Sequence, residues 1–130
     1  MATPTPPRGI ILFAHGSRDP LWRKPIEAVA QRLLDADSGV LVRCAYLELD
    51  TPDLLVAAAE LATAGCTELT IVPMFLGTGR HAREDLPGLV AAVRAAHLRM
   101  AVTLQQAVGE DGRVLDLLAR IAMETPRGNP

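Results

Sequence analysis

The sequence predicts an α/β fold, a three-layer α/β/α sandwich around a four-stranded parallel sheet. Four short apolar segments alternate with helical segments along the 130 residues, and such alternation with right-handed crossovers is typical of a parallel sheet. The first apolar segment, Ile10–Ala14, has no polar interruption, as expected of a central strand buried on both faces. With the strand order 2-1-3-4, the topological switch point lies between the first and third strands.

The elements are expected in regular succession. We expect strands at 10–14, 40–49, 67–76 and 100–106, and helices at 21–36, 53–64, 85–97 and 111–123. Apolar residues recur at helical spacing in the first helix, which the Asp-Ser-Gly group at 37–39 ends. Thr51 is expected to cap the second helix, with Pro52 at its first position. Pro73 lacks a donor for the sheet, so it predicts a bulge or the end of the third strand.

The length predicts one domain. We place it at residues 9–124, between a flexible N-terminal tail at 1–8 and a C-terminal tail at 125–130. The net charge of −2 and the 3% of aromatic residues argue against nucleic-acid binding. No apolar run is long enough to cross a membrane, and the proline-rich start does not resemble a signal peptide. We therefore expect a cytoplasmic protein, in which Cys44 and Cys66 are structural thiols.

Three potential ligands or proton acceptors follow the first three strands. His15 comes directly after the first strand, Glu48 ends the second, and His81 lies in the glycine-containing loop after the third. Ligands bind at the carboxyl ends of strands in open α/β sheets. A lone histidine more often satisfies a backbone group than binds a metal, and His97 fits that role at a helix C-terminus. The shared edge favours a functional role for His15 and His81.

Glu48 has two interpretations. It could be a solvated strand end, or it could accept protons, because its neighbours Tyr46, Leu47 and Leu49 are apolar and such surroundings favour the protonated carboxyl group. The Gly77-Thr78-Gly79 segment lacks the complete fingerprint of a phosphate-binding loop, so we do not expect it to cradle phosphate.

Cationic residues are concentrated in the two loops and helix starts around the histidines. As a group they predict a site for an anionic ligand with several carboxylates or phosphates. They are Arg18, Arg23, Lys24, Arg80 and Arg83.

Four motifs in the expected order resemble the short CbiX/SirB-like class II chelatases, which insert a divalent metal into sirohydrochlorin. The motifs are AHGSRDP, YLELDTP, VPMFLGTGRHAREDLP and AVGEDGRVLDLL. The resemblance implies the chelatase-like fold, a flavodoxin-like half of a two-lobed enzyme, and a homodimer that binds the tetrapyrrole in the cleft between its subunits.

The resemblance also implies roles for individual residues. His15 and His81 are expected to bind the metal, and Glu48 or a free histidine to accept pyrrole protons. Tetrapyrrole binding is assigned to Ser17, Arg18, Gly77, Arg80 and Arg83. No permanently bound cofactor is expected. The metal is a substrate, with Co²⁺ the first choice, Fe²⁺ the second and Ni²⁺ the third.

Other functions stay open at this point. A carrier would bind the tetrapyrrole or the metal without inserting one into the other. A histidine phosphotransfer enzyme would use a histidine at a strand end as its nucleophile, but that mechanism usually has arginine where this chain has Ala14. The chain could also be one half of a hetero-oligomeric chelatase.

Overall fold

A computed structural model describes residues 5–124 of the chain, so residues 1–4 and 125–130 of the expected tails lie outside the described residues. All strands of the sheet are parallel, in the order β2-β1-β3-β4, which confirms the predicted topology. The strands are β1 Arg8–Ala14, β2 Leu41–Tyr46, β3 Glu68–Pro73 and β4 Ala101–Leu104. The sheet thus begins at Arg8, inside the segment expected to be a tail.

Helices alternate with these strands, as predicted. They are α1 Lys24–Ala36, α2 Leu54–Thr63, α3 Arg80–Ala96 and α4 Gly112–Met123, with a 3-10 turn at Val108–Glu110. None of the helices within residues 5–124 combines the length and the apolar character needed to span a membrane.

Strand β1 is the centre of the core. Residues Ile10–Ala14 are all at most 7% exposed. Because side chains alternate along a strand, Ile11 and Phe13 pack with the core cluster of α2 and α3, whereas Ile10 and Leu12 pack against residues of α1. Burying each large apolar side chain contributes about 1.5–3 kcal/mol. Because both faces of β1 are buried, every position of this run is apolar, instead of every second one.

Two helix starts differ from the prediction. Helix α1 begins at Lys24 instead of residue 21, because Asp19 holds the preceding residues in a turn. The Asp19 carboxylate accepts the Leu21 amide at 2.9 Å, and the Asp19 carbonyl accepts the Trp22 amide at 3.0 Å. Helix α3 begins at Arg80 instead of residue 85 and continues through Pro87. The loop after β3 is correspondingly shorter than expected.

The predicted cap of α2 was wrong by two residues. Asp53, not Thr51, is the N-cap, and its carboxylate accepts the Val56 amide at 2.9 Å. Pro52 follows a cis peptide bond and lies before the cap, where its carbonyl accepts the Tyr46 amide. The hydrogen bond between the Tyr46 amide and the Pro52 carbonyl attaches the loop between β2 and α2 to the end of β2.

Strand β1 ends at Ala14, as predicted, whereas β2, β3 and β4 end earlier than the sequence suggested. Pro73 is the last residue of β3, opposite Phe13 in the register with β1, which confirms the prediction of a strand end at this proline. Strand β2 ends at Tyr46, although the chain stays beside β1 for two further residues. That continuation brings Glu48 next to His15.

Candidate functional site

His15 and Glu48 form a hydrogen-bonded pair at the carboxyl edge of the sheet. The His15 Nε2 lies 2.8 Å from the Glu48 Oε1, and the two side chains are 48% and 56% exposed. The main chain fixes the same approach, because the Glu48 amide donates to the His15 carbonyl at 3.0 Å. The sequence placed both residues at this edge of the sheet, and the structure adds that they are in contact. Both side chains are open to an incoming ligand.

Gly16 allows this close approach. Its φ of +104° lies in the left-handed region, which glycine adopts without the penalty that a Cβ brings. A Cβ at this position would also overlap the carbonyl oxygen of Glu48. On the facing loop, Leu49 has a φ of 63°, a conformation that is unusual for a branched side chain. The pair is therefore held between two loops with special backbone geometry.

An ion pair that sequence reasoning missed anchors the Glu48 loop. The Arg23 Nη1 lies 3.4 Å from each carboxylate oxygen of Asp50, whose side chain is only 11% exposed. Asp50 also accepts the Thr51 amide at 2.8 Å. The available signal was a second acidic residue two positions after Glu48 in the same motif. We interpret Asp50 as a positioning residue, because it joins the Glu48 loop to the start of α1.

Tyr46 lies buried beneath this loop. Its ring packs at a tilt against Trp22, with the ring centroids 6.4 Å apart. Burial is the main cause that raises the pKa of Tyr46 to about 12, and the nearby Cys44, Asp50 and Glu27 raise it further. The phenol is therefore neutral at physiological pH and supports the loop as packing.

The structure places His81 in the first turn of α3 rather than in a loop. It is exposed and follows β3 at the same sheet edge as the pair. Within residues 5–124, no three side chains of histidine, cysteine, aspartate or glutamate are grouped so that they could hold a metal ion. The structure thus brings His15 and Glu48 together, but it does not group His81 with them as a third metal ligand.

The structure distinguishes the two interpretations of Glu48. It fits the solvated strand end and not the apolar surroundings, because the Glu48 side chain is 56% exposed and its neighbour Leu49 is 51% exposed. The loop turns both residues outward after β2 ends. A solvent-accessible carboxylate beside an imidazole can still exchange protons with a ligand that binds above it.

The cations around the site fall into two groups. Arg23 pairs with Asp50 and Glu27, and the Arg80 Nε lies 2.8 Å from Glu84. Arg18 and Arg83 are exposed, and neither makes an ion pair with another described residue. Lys24 is the exposed first residue of α1. The predicted cationic rim is therefore partly neutralised, and Arg18 and Arg83 are its available guanidinium groups.

The remaining expected site residues occupy the loops. The Ser17 hydroxyl accepts the Asp19 amide at 3.1 Å, so it shapes the loop after β1. A Cβ at Gly77 would meet no atom within 4 Å, so this glycine borders open space. His97 caps the C-terminus of α3, where its amide donates to the Val93 carbonyl, in keeping with a structural role.

The paired imidazole and carboxylate can perform two kinds of chemistry. Imidazole nitrogens bind borderline divalent metals such as Co²⁺ and Fe²⁺. A carboxylate that accepts the other ring N–H orients such a ligand and raises its basicity. The carboxylate can also accept a proton from a bound acid. The exposed arginines nearby favour an anionic partner.

The comparisons with known proteins agree on one family. The model of the CbiX family matches residues 9–125. A sirohydrochlorin cobaltochelatase of Methanosarcina acetivorans is 34% identical over 83 residues, which are 64% of each chain. Another, of Saccharolobus solfataricus, is 28% identical over 127 residues, which cover 93% of this chain and 98% of that relative.

Solved structures show the same fold. A CbiX protein of Marinobacter aquaeolei VT8 is 30% identical, with a TM-score of 0.77 and coverage of 91% of this chain and 96% of that one. The sirohydrochlorin chelatase SirB of Bacillus subtilis subspecies spizizenii, solved in complex with cobalt, is 21% identical, with a TM-score of 0.76. The match covers 92% of this chain and 51% of SirB, so this chain spans about half the length of that structure.

Proposed function

We propose, from the premise that this chain belongs to the CbiX family, that the protein is a chelatase that inserts a divalent metal ion into sirohydrochlorin. Both aligned relatives carry this substrate and cobalt in their names, which supports Co²⁺ as the metal, with Fe²⁺ the second candidate. The observation that carries the proposal is the His15–Glu48 pair at the carboxyl edge of the sheet. The cytoplasmic location stays a prediction from the sequence.

The pair suggests how His15 presents a metal ion. When Nε2 donates its proton to Glu48, the Nδ1 lone pair is left for the metal. We assign the second imidazole to His81, which lies at the same edge of the sheet. A metal held by few protein ligands keeps open coordination positions, so the pyrrole nitrogens can displace the protein ligands one after another.

Glu48 has a separate role in proton removal. Insertion of a divalent ion into the macrocycle releases two pyrrole protons, which need an acceptor. Glu48 Oε1 is engaged with His15, and the exposed carboxylate can take up a proton on its other oxygen. Solvent then removes that proton, since the side chain is 56% exposed.

The cationic side chains around the site bind the carboxylates of the tetrapyrrole. Arg18 and Arg83 are unengaged among the described residues and can each form two parallel hydrogen bonds to a carboxylate. Arg80 must first give up its bond to Glu84, so we expect it to contribute less. Ser17 and the open backbone at Gly77 border the same region.

We further propose that the active form is a homodimer with the tetrapyrrole between its two subunits. The support is length, because this chain spans about half of the SirB structure that shares its fold. Two copies would then supply the surface that the longer protein provides in one chain.

Anaerobic visible spectroscopy tests the function. Sirohydrochlorin is mixed with Co²⁺, Fe²⁺ or Ni²⁺, with and without a small amount of protein. We expect faster metal insertion with many turnovers, fastest with Co²⁺. His81→Ala should abolish metal insertion while tetrapyrrole binding persists, and His97→Ala, at the other end of α3, should retain full activity.

Two results would contradict this proposal. Spectral changes that stop at one equivalent of protein would indicate a carrier instead of an enzyme. If His81→Ala loses tetrapyrrole binding and metal insertion equally, the division of roles between His81 and the arginines is wrong.

A further inference from the structure

Three leucine side chains are exposed at the carboxyl edge of the sheet. Leu21 lies before α1, Leu49 follows Glu48 in the loop after β2, and Leu76 lies in the loop after β3. Their exposed fractions are 62%, 51% and 65%. One exposed leucine is ordinary, but several around a polar pair are typical of a ligand site, which combines apolar walls with a few polar groups. We call these three residues the leucine rim.

The backbone holds the members of the leucine rim in place. The Asp19 carboxylate accepts the Leu21 amide at 2.9 Å. In the loop after β3, the Gly109 amide donates to the Phe75 carbonyl at 2.9 Å, and a Cβ at Gly109 would overlap the backbone of Leu76. The leucines therefore belong to loops that are bonded to the rest of the fold.

Leu49 is the most unusual member of the leucine rim. Its φ of 63° lies in the left-handed region, where a branched side chain is strained. The loop is anchored on both sides of it, because the Glu48 amide donates to the His15 carbonyl and Asp50 pairs with Arg23. The strain is not compensated by burial of the side chain, which is half exposed. Strain of this kind is typical of functional sites.

The polar residues of the site bind only part of a tetrapyrrole. Arg18 and Arg83 are assigned to the carboxylates at its periphery, and His15 and Glu48 act at its centre. The conjugated ring between these parts has two flat apolar faces, whose removal from water is favourable. An apolar surface beside the His15–Glu48 pair is needed to cover one of them.

We propose that the leucine rim contacts one face of the macrocycle, and that Leu49 sets the distance between the pyrrole nitrogens and the Glu48 carboxylate. This inference rests on the proposed function and adds the residues that recognise the ring itself. It also gives the site a basis for selectivity, because an acyclic polycarboxylate has carboxylates for the arginines but no flat apolar face for the leucines.

A titration with metal-free sirohydrochlorin tests the contact. Quenching of Trp22, the one tryptophan of the chain, reports binding. Leu49→Asn removes the apolar surface but suits a left-handed backbone. We expect its Kd to be about fivefold higher than that of the wild type. Its midpoint of urea unfolding should move to a higher urea concentration, because the backbone strain is relieved.

Leu98→Asn is the matched control. Leu98 is 88% exposed and lies before β4, at the opposite edge of the sheet. Its φ is outside the left-handed region. The same substitution there should change neither the Kd for sirohydrochlorin nor the midpoint of urea unfolding.

Salt separates the leucine rim from the arginines. Dissolved ions screen exposed charges, so the ratio of the Arg83→Ala Kd to the wild-type Kd should fall between about 0.05 M and 0.5 M NaCl. Contact with an apolar ring face does not depend on charge. The corresponding ratio for Leu49→Asn should therefore stay constant over the same range.

The outcomes distinguish this inference from the proposed function. Wild-type protein that does not bind sirohydrochlorin would overturn both. Wild-type binding with an unchanged Kd for Leu49→Asn would overturn the role of the leucine rim and leave the chelatase standing. If Leu49→Asn lowers the molecular mass in light scattering together with the affinity, a second copy of the chain covers the leucine rim, and the contact with the macrocycle is wrong.

Discussion

His15 and Glu48 are joined twice, through their side chains and through their main chains. The Nε2–Oε1 distance is 2.8 Å, and the Glu48 amide donates to the His15 carbonyl at 3.0 Å. The backbone bond continues the pairing between β1 and β2 beyond the last residues of both strands. The backbone bond therefore holds the two residues side by side at the edge of the sheet.

Glu48→Gln should separate proton transfer from metal binding. The amide oxygen can still accept the His15 N–H, but the side chain cannot take up a pyrrole proton. We expect kcat for metal insertion to fall about 100-fold or more, with KM for the tetrapyrrole within about twofold. Steady-state assays of both constants check this, and an unchanged kcat would exclude Glu48 as the proton acceptor.

Gly16→Ala should destabilise the fold and distort the pair. The left-handed φ and the overlap with the Glu48 carbonyl both oppose a Cβ, and we expect a loss of about 3 kcal/mol in the free energy of unfolding. Gly88→Ala is the matched control, because Gly88 lies inside α3 with open space around it. Alanine there should raise stability by about 0.5–1 kcal/mol. Urea unfolding measures both changes, and equal effects would argue against the role of Gly16.

Arg18→Ala and Arg83→Ala should weaken tetrapyrrole binding. Loss of a charge-assisted hydrogen bond to a carboxylate predicts a KM about tenfold higher for each variant, with kcat retained. Arg80→Ala should have a smaller effect because Glu84 already engages Arg80. Arg99→Ala, just before β4 at the opposite end of the sheet, is the control. If Arg99→Ala raises KM as much as the others, the effect comes from net charge and not from the site.

The Tyr46 phenol should ionise at a higher pH than a solvent-exposed tyrosine. Burial raises its pKa to about 12, and because it is the one tyrosine of the chain, ultraviolet absorbance of tyrosinate reports it directly. The unfolded chain in urea should titrate near 10. The folded protein then binds more protons than the unfolded chain between about pH 10 and 12, so its free energy of unfolding should fall across that window. Titration of the folded protein near 10 would show that the ring is accessible to solvent.

Local sequence patterns were reliable where one physical effect dominates. The uninterrupted run at β1 predicted a central buried strand, and Pro73 predicted the end of β3, because a proline cannot donate to the sheet. Local patterns failed where two effects compete. Thr51 and Pro52 resemble a cap and a first helical residue. The carboxylate of Asp53 is a better cap than the Thr51 hydroxyl, so α2 starts after Asp53. Helix α3 continues through Pro87 because tertiary packing buries Leu86 and Val90 on either side of it.

The sequence by itself determined the α/β class, the strand order and the residues at the carboxyl edge of the sheet, because hydrophobic periodicity and chain connectivity are local properties. It also supplied the motifs that identified the family. Only the tertiary structure decided that His15 and Glu48 are in contact, that Asp50 anchors their loop and that Glu48 faces solvent. Those facts depend on distances between loops that are about 30 residues apart, which a one-residue change in a strand end or a turn would alter.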